Sequence, residues 1–526
     1  MQTTLTGKKE IIAAEQFAKN QREISVAEFF TKNRHLLGFD NPRKALLTTI
    51  KEAVDNSLDA CEDMRVLPEI KVEVKQLSEE RFSVTVEDNG PGIVKAQVPR
   101  IFAKLLYGSK FHTLKCGRGQ QGIGISASAM YGQLTTGKGI RIWSRISPKK
   151  PAHYFELHIN TKLNEPEILK EEVVEWEKEH GTKIEIELEA KYQKGKQSID
   201  EYLKQTAISN PHASISYRAP GEETVEFPRV TEELPVEPKE IKPHPYGVEL
   251  GILMKMLSDT KYPTLQSFLQ KEFSRVSPKI AKEICEKARL YERARPSRIA
   301  RQEVDSLFQA IKNTKIMAPP TNCLVPIGQD LLLGGMKKEV DAEFYAAVTR
   351  SPSVYRGCPF QIEVGISFGG TLPADDLVRV IRYANRVPLL YQQSACAITK
   401  SIIQTAWRNY GLSQSRSSLP VGPAMVIVHI ASVWVPFTSE SKEAIASYPE
   451  IVKEIKLALQ ECGRQLASHI RKVKKAEHQE KRQKIFELYI HEVADSLCSL
   501  AQCDKEKLIK NLHKISTKRT GGIEHE

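Results

Sequence analysis

The sequence predicts an α+β protein of several domains whose N-terminal unit is a two-layer sandwich, with helices on one side of a sheet. Three observations lead there. Strands in the first 228 residues alternate apolar and charged residues, a proline-rich acidic stretch at 226–247 interrupts that pattern, and strands return only after a run of basic helices. At 526 residues the chain has room for about three cores of ordinary domain size.

Residues 1–228 carry the clearest strands. "EIKVEVKQL" sets Ile70, Val72 and Val74 on one face and Lys71, Glu73 and Lys75 on the other. "KIEIELEA" does the same with Ile184, Ile186 and Leu188 against Glu185, Glu187 and Glu189. One face of such a sheet meets a core and the other meets water, which argues against a doubly wound parallel sheet covered on both faces. Residues 229–301 read as a basic helical insert, a helix-turn-helix-like module or an ordinary surface insert, with Ser277 and Pro278 as N-cap and first helical residue of one helix. Residues 302–470 bring strands back ("PFQIEVGISF", "PAMVIVHIASVWV") with helices between, a second α/β domain. Residues 471–526 complete a long charged helical end whose basic cluster runs from Arg471 to Lys484, a solvated face by default.

Composition narrows the function classes. Lys and Arg number 77 against 65 Asp and Glu, a net +12 that suits a polyanionic partner. Nine cysteines lie scattered without a CxxC pair or a compact framework, so neither zinc nor disulfides organise the fold and a reducing interior is expected. The first 25 residues break their apolar positions with charge too often for a signal peptide. The longest uncharged run, 421–437, holds two prolines, a histidine and many β-branched residues, and reads as a buried strand rather than a membrane helix. The protein is therefore expected in the cytoplasm or on the nucleoid.

Four motifs carry chemistry. In "KEAVDNSLDAC", Glu52, Asn56 and Asp59 fall at i, i+4 and i+7, one stripe of a helix, where an amide can hold a divalent cation while a carboxylate orients or deprotonates a water. In "RFSVTVEDNGPGI", Asp88 shares the inward parity of Phe82, Val84 and Val86, just before Gly90 and Gly92; it either caps the turn or accepts from a buried donor such as a purine amine. "KCGRGQQGIGISASAMYG" places Gly117, Gly119, Gly122 and Gly124 before a helix starting near Ile125, whose free N–H groups suit an anion; the loop has neither the P-loop ending nor the dinucleotide fingerprint. In "HGTKIEIELEA", Thr182 again lies on the inward parity.

In this order the four motifs resemble the Bergerat ATP-binding fold of the gyrase, Hsp90, histidine kinase and MutL superfamily (GHKL). The resemblance implies ATP and Mg²⁺ as ligands, Glu52 as general base, Asn56 on the metal, Asp59 in the ATP site, and Asp88 with Gly90, Gly92 and Thr182 around the adenine. It also implies a lid on the phosphates from Ser109, Lys110, Gly117, Arg118, Gly119, Gln120, Gln121, Gly122, Ile123 and Gly124. Across nearly the whole chain, through "LLYGSKFHTLKCGRGQQGIGISASAMYG", "KYQKGKQSIDEYLKQTAISNPHASI" and "IVHIASVWVPFTSESKEAIA", the sequence is similar to the B subunits of archaeal-type DNA topoisomerase VI, type IIB enzymes.

That similarity implies a helix-two-turn-helix domain at 229–301, a transducer domain at 302–470 and a switch lysine, Lys442, reaching the γ-phosphate. It further implies an N-terminal strap (about 1–20) exchanged between protomers, nucleotide-dependent B–B dimers, duplex DNA as substrate, and a C-terminal segment docking a DNA-cleaving A subunit in an A2B2 heterotetramer. No acidic cluster or tyrosine in this chain marks a cutting site, so the cutting is expected on the other chain. Candidate DNA contacts are Lys191, Lys194 and Lys196 in "KYQKGK" and Trp407, Arg408 and Tyr410 in "AWRNYG". Competing readings are an Hsp90- or MutL-like ATP-gated clamp without strand passage, a histidine kinase and a nucleotide-gated scaffold. The kinase lacks a phosphoacceptor, since no histidine precedes His35, and a pure scaffold has no use for Glu52.

Overall fold

The computed structural model describes residues 21, 23–109, 113–119, 122–439, 441–501 and 504–520; the expected strap at 1–20 lies outside them. After α1 (Val26–Lys32), helix α2 (Pro42–Met64) carries the acidic stripe. It begins where the Asn41 side chain accepts from the Lys44 N–H and Pro42 takes a position whose N–H has no helical partner anyway. It stops at Arg65, in the left-handed region at φ 62°. Then follow β1 (Glu69–Gln76), β2 (Arg81–Glu87), α3 (Val98–Ala103), α4 (Gly124–Thr136), β3 (Ile140–Arg145), β4 (Ala152–Asn160), β5 (Glu165–Val174), β6 (Gly181–Glu189), α5 (Ile199–Ser209), β7 (Ser214–Arg218) and β8 (Thr224–Phe227).

The eight strands form one sheet in the order β5-β4-β3-β6-β2-β1-β7-β8, antiparallel except where β1 meets β7. Its inner face buries Val72, Val84, Ile142, Ile186 and Ile215 against Leu46, Ile50 and Leu58 of α2 and Met130 of α4. Lys71 and Glu73 stand on the opposite face, so the two-layer sandwich expected from strand parity is what forms. The contact between the layers is close at Gly132 of α4, where a Cβ would come within 2.7 Å of the Glu187 carbonyl.

Helices α6 (Leu250–Asp259), α7 (Leu265–Glu272), α8 (Pro278–Ala288) and α9 (Arg301–Lys312) share one small core through Leu253, Phe268, Ile284 and Leu307. Ser277 caps α8 by accepting from the Ile280 N–H, with Pro278 next, as its sequence predicts. The boundary expected at 301 is corrected by α9, whose Val304, Leu307 and Ile311 face this helical core, which extends to Ile316.

The second sheet unit consists of α10 (Gln329–Glu339), β9 (Phe344–Thr349), β10 (Ser353–Tyr355), β11 (Cys358–Phe368), β12 (Arg379–Ala384), β13 (Val387–Pro388), α11 (Ala397–Gln404), a small ribbon of β14 (Ser413–Gln414) and β15 (Pro420–Val421), and β16 (Ala424–Ser432). Every residue of β16 is buried, because α10 covers one face of the sheet while α11 and the start of the next helix cover the other. This is the long uncharged run, and it is a strand. Helix α12 (Pro449–Ala501) packs on this unit through Ile451, Ile455, Leu459 and Leu466, then runs on past it and folds back on α13 (Lys505–Thr520). Among the described residues no helix is long and apolar enough to cross a membrane.

Two of the proposed DNA contacts are corrected here. Trp407 is fully buried, its indole N–H donating 2.8 Å to the Ile402 carbonyl, and Tyr410 is half-buried against it. Gly463 of α12 lets Tyr410 in, since a Cβ there would lie 2.6 Å from the ring. These aromatics belong to the core, which is why they recur at helical spacing beside a charged residue; Arg408 remains exposed, as do Lys191, Lys194 and Lys196, with Lys194 paired to Glu222. Trp407→Ala should lower stability by about 3–5 kcal/mol, visible as a lower thermal midpoint, whereas Arg408→Ala at the exposed neighbour should shift it little.

A candidate ATP site between the sheet and its helices

A cavity of about 610 Å³ opens between α2, the sheet and the loop that leads into α4. Helical geometry delivers the acidic stripe to it: Leu46, Ile50, Val54 and Leu58 bury the opposite face of α2, leaving Glu52, Asn56 and Asp59 along the cavity wall. The strands contribute Asp88 and Thr182, and the loops contribute Gly92, Ser109, Gly119, Gly122, Ile123 and Gly124. Lys442 arrives from the second unit, on the loop after β16, with its own φ at 53°. Residues of all four motifs, with Lys442 from a fifth stretch, thus meet in one space. Lys110, Gln120 and Gln121 lie outside the described residues.

Asp88 occupies the deepest polar position. Its Oδ2 accepts from the Ser57 hydroxyl at 2.8 Å, and its Oδ1 accepts from the Gly90 and Thr182 N–H groups at 2.9 and 3.1 Å. Burial pushes its carboxyl upward, opposed by those three donors. Two carboxylate oxygens offer about four acceptor directions, so one remains toward the cavity. Gly181 makes this possible: at φ 141° its missing Cβ would sit 2.2 Å from the Asp88 carbonyl. Gly90 acts here as a donor to Asp88 rather than as cavity lining.

Glu52 lies against the first turn of α4. A Cβ on Gly124 would come within 1.7 Å of the Glu52 Oε2, so only glycine admits the carboxylate at the positive end of that helix. Asn56 is open to the cavity and makes no hydrogen bond to the described residues. No group of three His, Cys, Asp or Glu among those residues could hold a metal. A site with one amide oxygen beside a space for phosphates still suits Mg²⁺, which keeps waters and takes most of its ligands from nucleotide.

Arg118 is the largest departure from expectation. Together with Gly117 it lies outside the cavity. Its guanidinium is buried and donates to Asp59 at 2.7 Å, to both oxygens of Glu62 at 3.0 and 2.6 Å, and to the Asn210 side-chain oxygen. Burial works against its charge, but Glu62 and Asp59 hold it well above the usual arginine value. Burial likewise opposes the Glu62 carboxylate, and Arg118 and His212 outweigh it, keeping it well below the usual range. Asp59, although on the wall, is thereby committed to the loop, taking also a long 3.4 Å contact from the Gly119 N–H.

Several groups at the site were not singled out by the sequence, although two of them stand within the first motif. Lys51 lines the cavity beside Glu52, and burial lowers its pKa. Asp55 accepts from the Tyr202 hydroxyl at 3.0 Å, and burial raises it to about 6. Lys44 of α2 pairs with Glu443, next to Lys442, and with Asp40 at 3.1 Å; burial lowers its pKa and the two carboxylates together raise it. The only advance sign of Lys51 and Asp55 is their place on the same helix as the acidic stripe.

Comparison with known proteins agrees with this geometry. Residues 41–192 match the family model for the histidine kinase-, DNA gyrase B- and HSP90-like ATPase, and residues 319–482 match the topoisomerase VI B subunit transducer. The B subunit of type 2 DNA topoisomerase 6 from Methanococcoides burtonii is 50% identical over 512 residues, covering 97% of this chain and 82% of the relative. Its counterpart from Methanosarcina mazei is 48% identical, with 97% and 82% covered, and that from Archaeoglobus fulgidus 49% identical, with 85% and 74% covered.

Asp55 yields a pH test. Its folded value near 6 lies above the ordinary 3.8, so its favourable contribution is complete below pH 4 and lost as pH rises through 6. Asp55→Asn keeps an acceptor for Tyr202 and removes the charge. Denaturant titrations between pH 4 and 8 should show the variant gaining on the parent across that interval, by on the order of 3 kcal/mol at the top.

Proposed function

The chain belongs to the family of type 2 DNA topoisomerase 6 B subunits, and we propose that its cavity holds ATP whose hydrolysis times the passage of one DNA duplex through another. It is the ATP-binding and hydrolysing subunit of a type II topoisomerase. What carries the finer reading is that Glu52, Asp88 and the second unit's Lys442 line one cavity.

In this reading the adenine amine donates to the free direction of Asp88, with Ser57 and Thr182 holding that carboxylate in register. The phosphates extend toward Gly119, Gly122 and the start of α4, whose unpaired N–H groups and dipole favour negative charge. Glu52 removes a proton from the water that attacks the γ-phosphorus, and ADP is the leaving group. Asn56 would hold Mg²⁺, which neutralises charge on the phosphate oxygens. Lys442 contacts the γ-phosphate and loses that counter-charge once phosphate departs, so the loop on which it sits senses which nucleotide is bound.

ATP would then bring two such chains together around a captured duplex, and the break would be made by an A subunit in an A2B2 assembly in the cytoplasm, at the nucleoid. The surface of α12 beyond the second unit supports a docking role: Ile485, Phe486, Leu488 and Tyr489 are exposed in succession on it. Exposed Lys191, Lys194, Lys196 and Arg408 remain the candidates for DNA phosphates.

Sedimentation of the purified chain with Mg²⁺ should show dimers with a non-hydrolysable ATP analogue. Glu52→Ala should show lasting dimers with ATP itself and a loss of turnover of about 10²–10⁴-fold. A chain that stays monomeric under all these conditions would overturn the clamp.

A further inference from the structure

Residues 385 and 386, between β12 and β13, form a two-residue hairpin turn in which both backbone angles are left-handed, φ 47° at Asn385 and 68° at Arg386. Such turns ordinarily place glycine second. Here an arginine takes that position, and both residues are buried. A strained, buried polar turn persists only where its surroundings hold it and often where function uses it.

Its hydrogen bonds show what it grips. The Asn385 amide donates at 2.9 Å to the carbonyl of Gly117, in the glycine loop, and at 2.9 Å to the Ser432 carbonyl, while its oxygen accepts from the Ser432 N–H at 2.8 Å. Both amide protons meet carbonyls and the oxygen meets an N–H, so the orientation of the amide is determined. The Arg386 carbonyl accepts from the Ser209 hydroxyl at 2.6 Å, and Asn210 accepts from Arg118. Three dipeptides, 117–118, 385–386 and 209–210, thus close a ring: glycine loop, second-unit turn and the end of α5. Beside this ring a void of about 10 Å³ is lined by Arg118, Asn385, Asp55 and Lys442.

We propose that Asn385 is a positioning residue for the glycine loop, setting through the Gly117 carbonyl how that loop meets the terminal phosphate, so that the second unit touches the nucleotide at two points, directly through Lys442 and indirectly through this turn. The inference rests on the cavity's being an ATP site. The ring adjoins the end of the cavity where Glu52 and Lys442 lie, while Asp88 and Thr182 are held by bonds that do not involve it. Loss of Asn385 therefore weakens binding of nucleotides that carry a γ-phosphate and spares those that do not.

Asn385→Gly keeps the left-handed turn and removes the amide; Asn385→Asp keeps the shape but turns an oxygen toward two carbonyls. Calorimetric titration with ADP and with a non-hydrolysable ATP analogue separates the roles. Asn385→Gly should bind ADP within about twofold of the parent and the analogue about tenfold more weakly, the worth of one hydrogen bond, and Asn385→Asp should widen that gap. Equal weakening for both nucleotides would mean a merely structural turn, and unchanged binding of both would mean no role; either overturns the proposal. A parent chain that binds neither nucleotide would instead overturn the ATP-site reading itself.

Discussion

A buried guanidinium decides where the glycine loop can lie. Arg118 is out of water, and a cation there is tolerable only if carboxylates meet it with good geometry. Asp59 and Glu62, one turn apart on α2, provide that match. The loop is therefore bolted to the same helix that carries Glu52 and Asn56, and the wall bearing Glu52 and the wall bearing Gly119 keep one spacing. Breaking such a buried pair from one side costs about 3–5 kcal/mol, which fixes the loop at its Arg118 end. The second reach of Arg118, to Asn210, carries the constraint across to α5 and from there to the second unit.

Coupling between nucleotide and domain movement needs groups whose positions both sides bias. Three such groups come from the second unit: Lys442 on its strained loop, Glu443 clasped by Lys44 of α2, and the Asn385 turn on the glycine loop. Glu443 and the Asn385 turn each join an element of the ATP-binding unit to the second unit, Lys442 lines the cavity itself, and behind the turn stands a rigid support. Glu363 accepts from the Ile327 and Gly328 N–H groups at 2.7 and 2.8 Å and from His429 at 2.8 Å, while the other nitrogen of His429 takes the Arg386 N–H at 3.0 Å. Burial opposes the Glu363 charge, and His429 with those backbone donors still brings it down to about 2. The tautomer of His429 follows from its partners, and the turn it holds inherits their stiffness.

How much of this could be read beforehand depends on whether the signal was local. Parity along a strand told which way Asp88 and Thr182 point, and a helical stripe told that Glu52, Asn56 and Asp59 share a wall, because both periodicities are properties of the backbone alone. The glycine loop announced flexibility but not division of labour: in "GRGQQGIG" nothing distinguishes Gly119 and Gly124, which line the cavity, from Gly117 and Arg118, which anchor it. Trp407 and Tyr410 misled for a related reason, since an aromatic next to an arginine looks the same in sequence whether it meets DNA or a helix about 50 residues later. The boundary set at 301 failed because α9 is as charged as a linker helix on its outer face and reveals its core only through Val304, Leu307 and Ile311. Asn385 and Arg386 were invisible: an Asn-Arg turn lacks the glycine that would have flagged it.

The distribution of strain argues that the site was shaped for chemistry at the expense of stability. Asp55 and Lys51 are both shifted toward their neutral forms by burial within one turn of Glu52, and Lys442, Asn385 and Arg386 all hold left-handed angles without being glycine. Gly124 and Gly181 sit where any side chain would strike Glu52 or Asp88. None of these features strengthens a core; the apolar faces of the strands and helices do that. The Glu52 carboxylate shares its end of the cavity with a helix N-terminus, whose N–H groups and dipole favour an anion. In the function proposed above, that geometry would put base, anion and sensing lysine at one end of the cavity and leave the other end, around Asp88, to choose the base of the nucleotide.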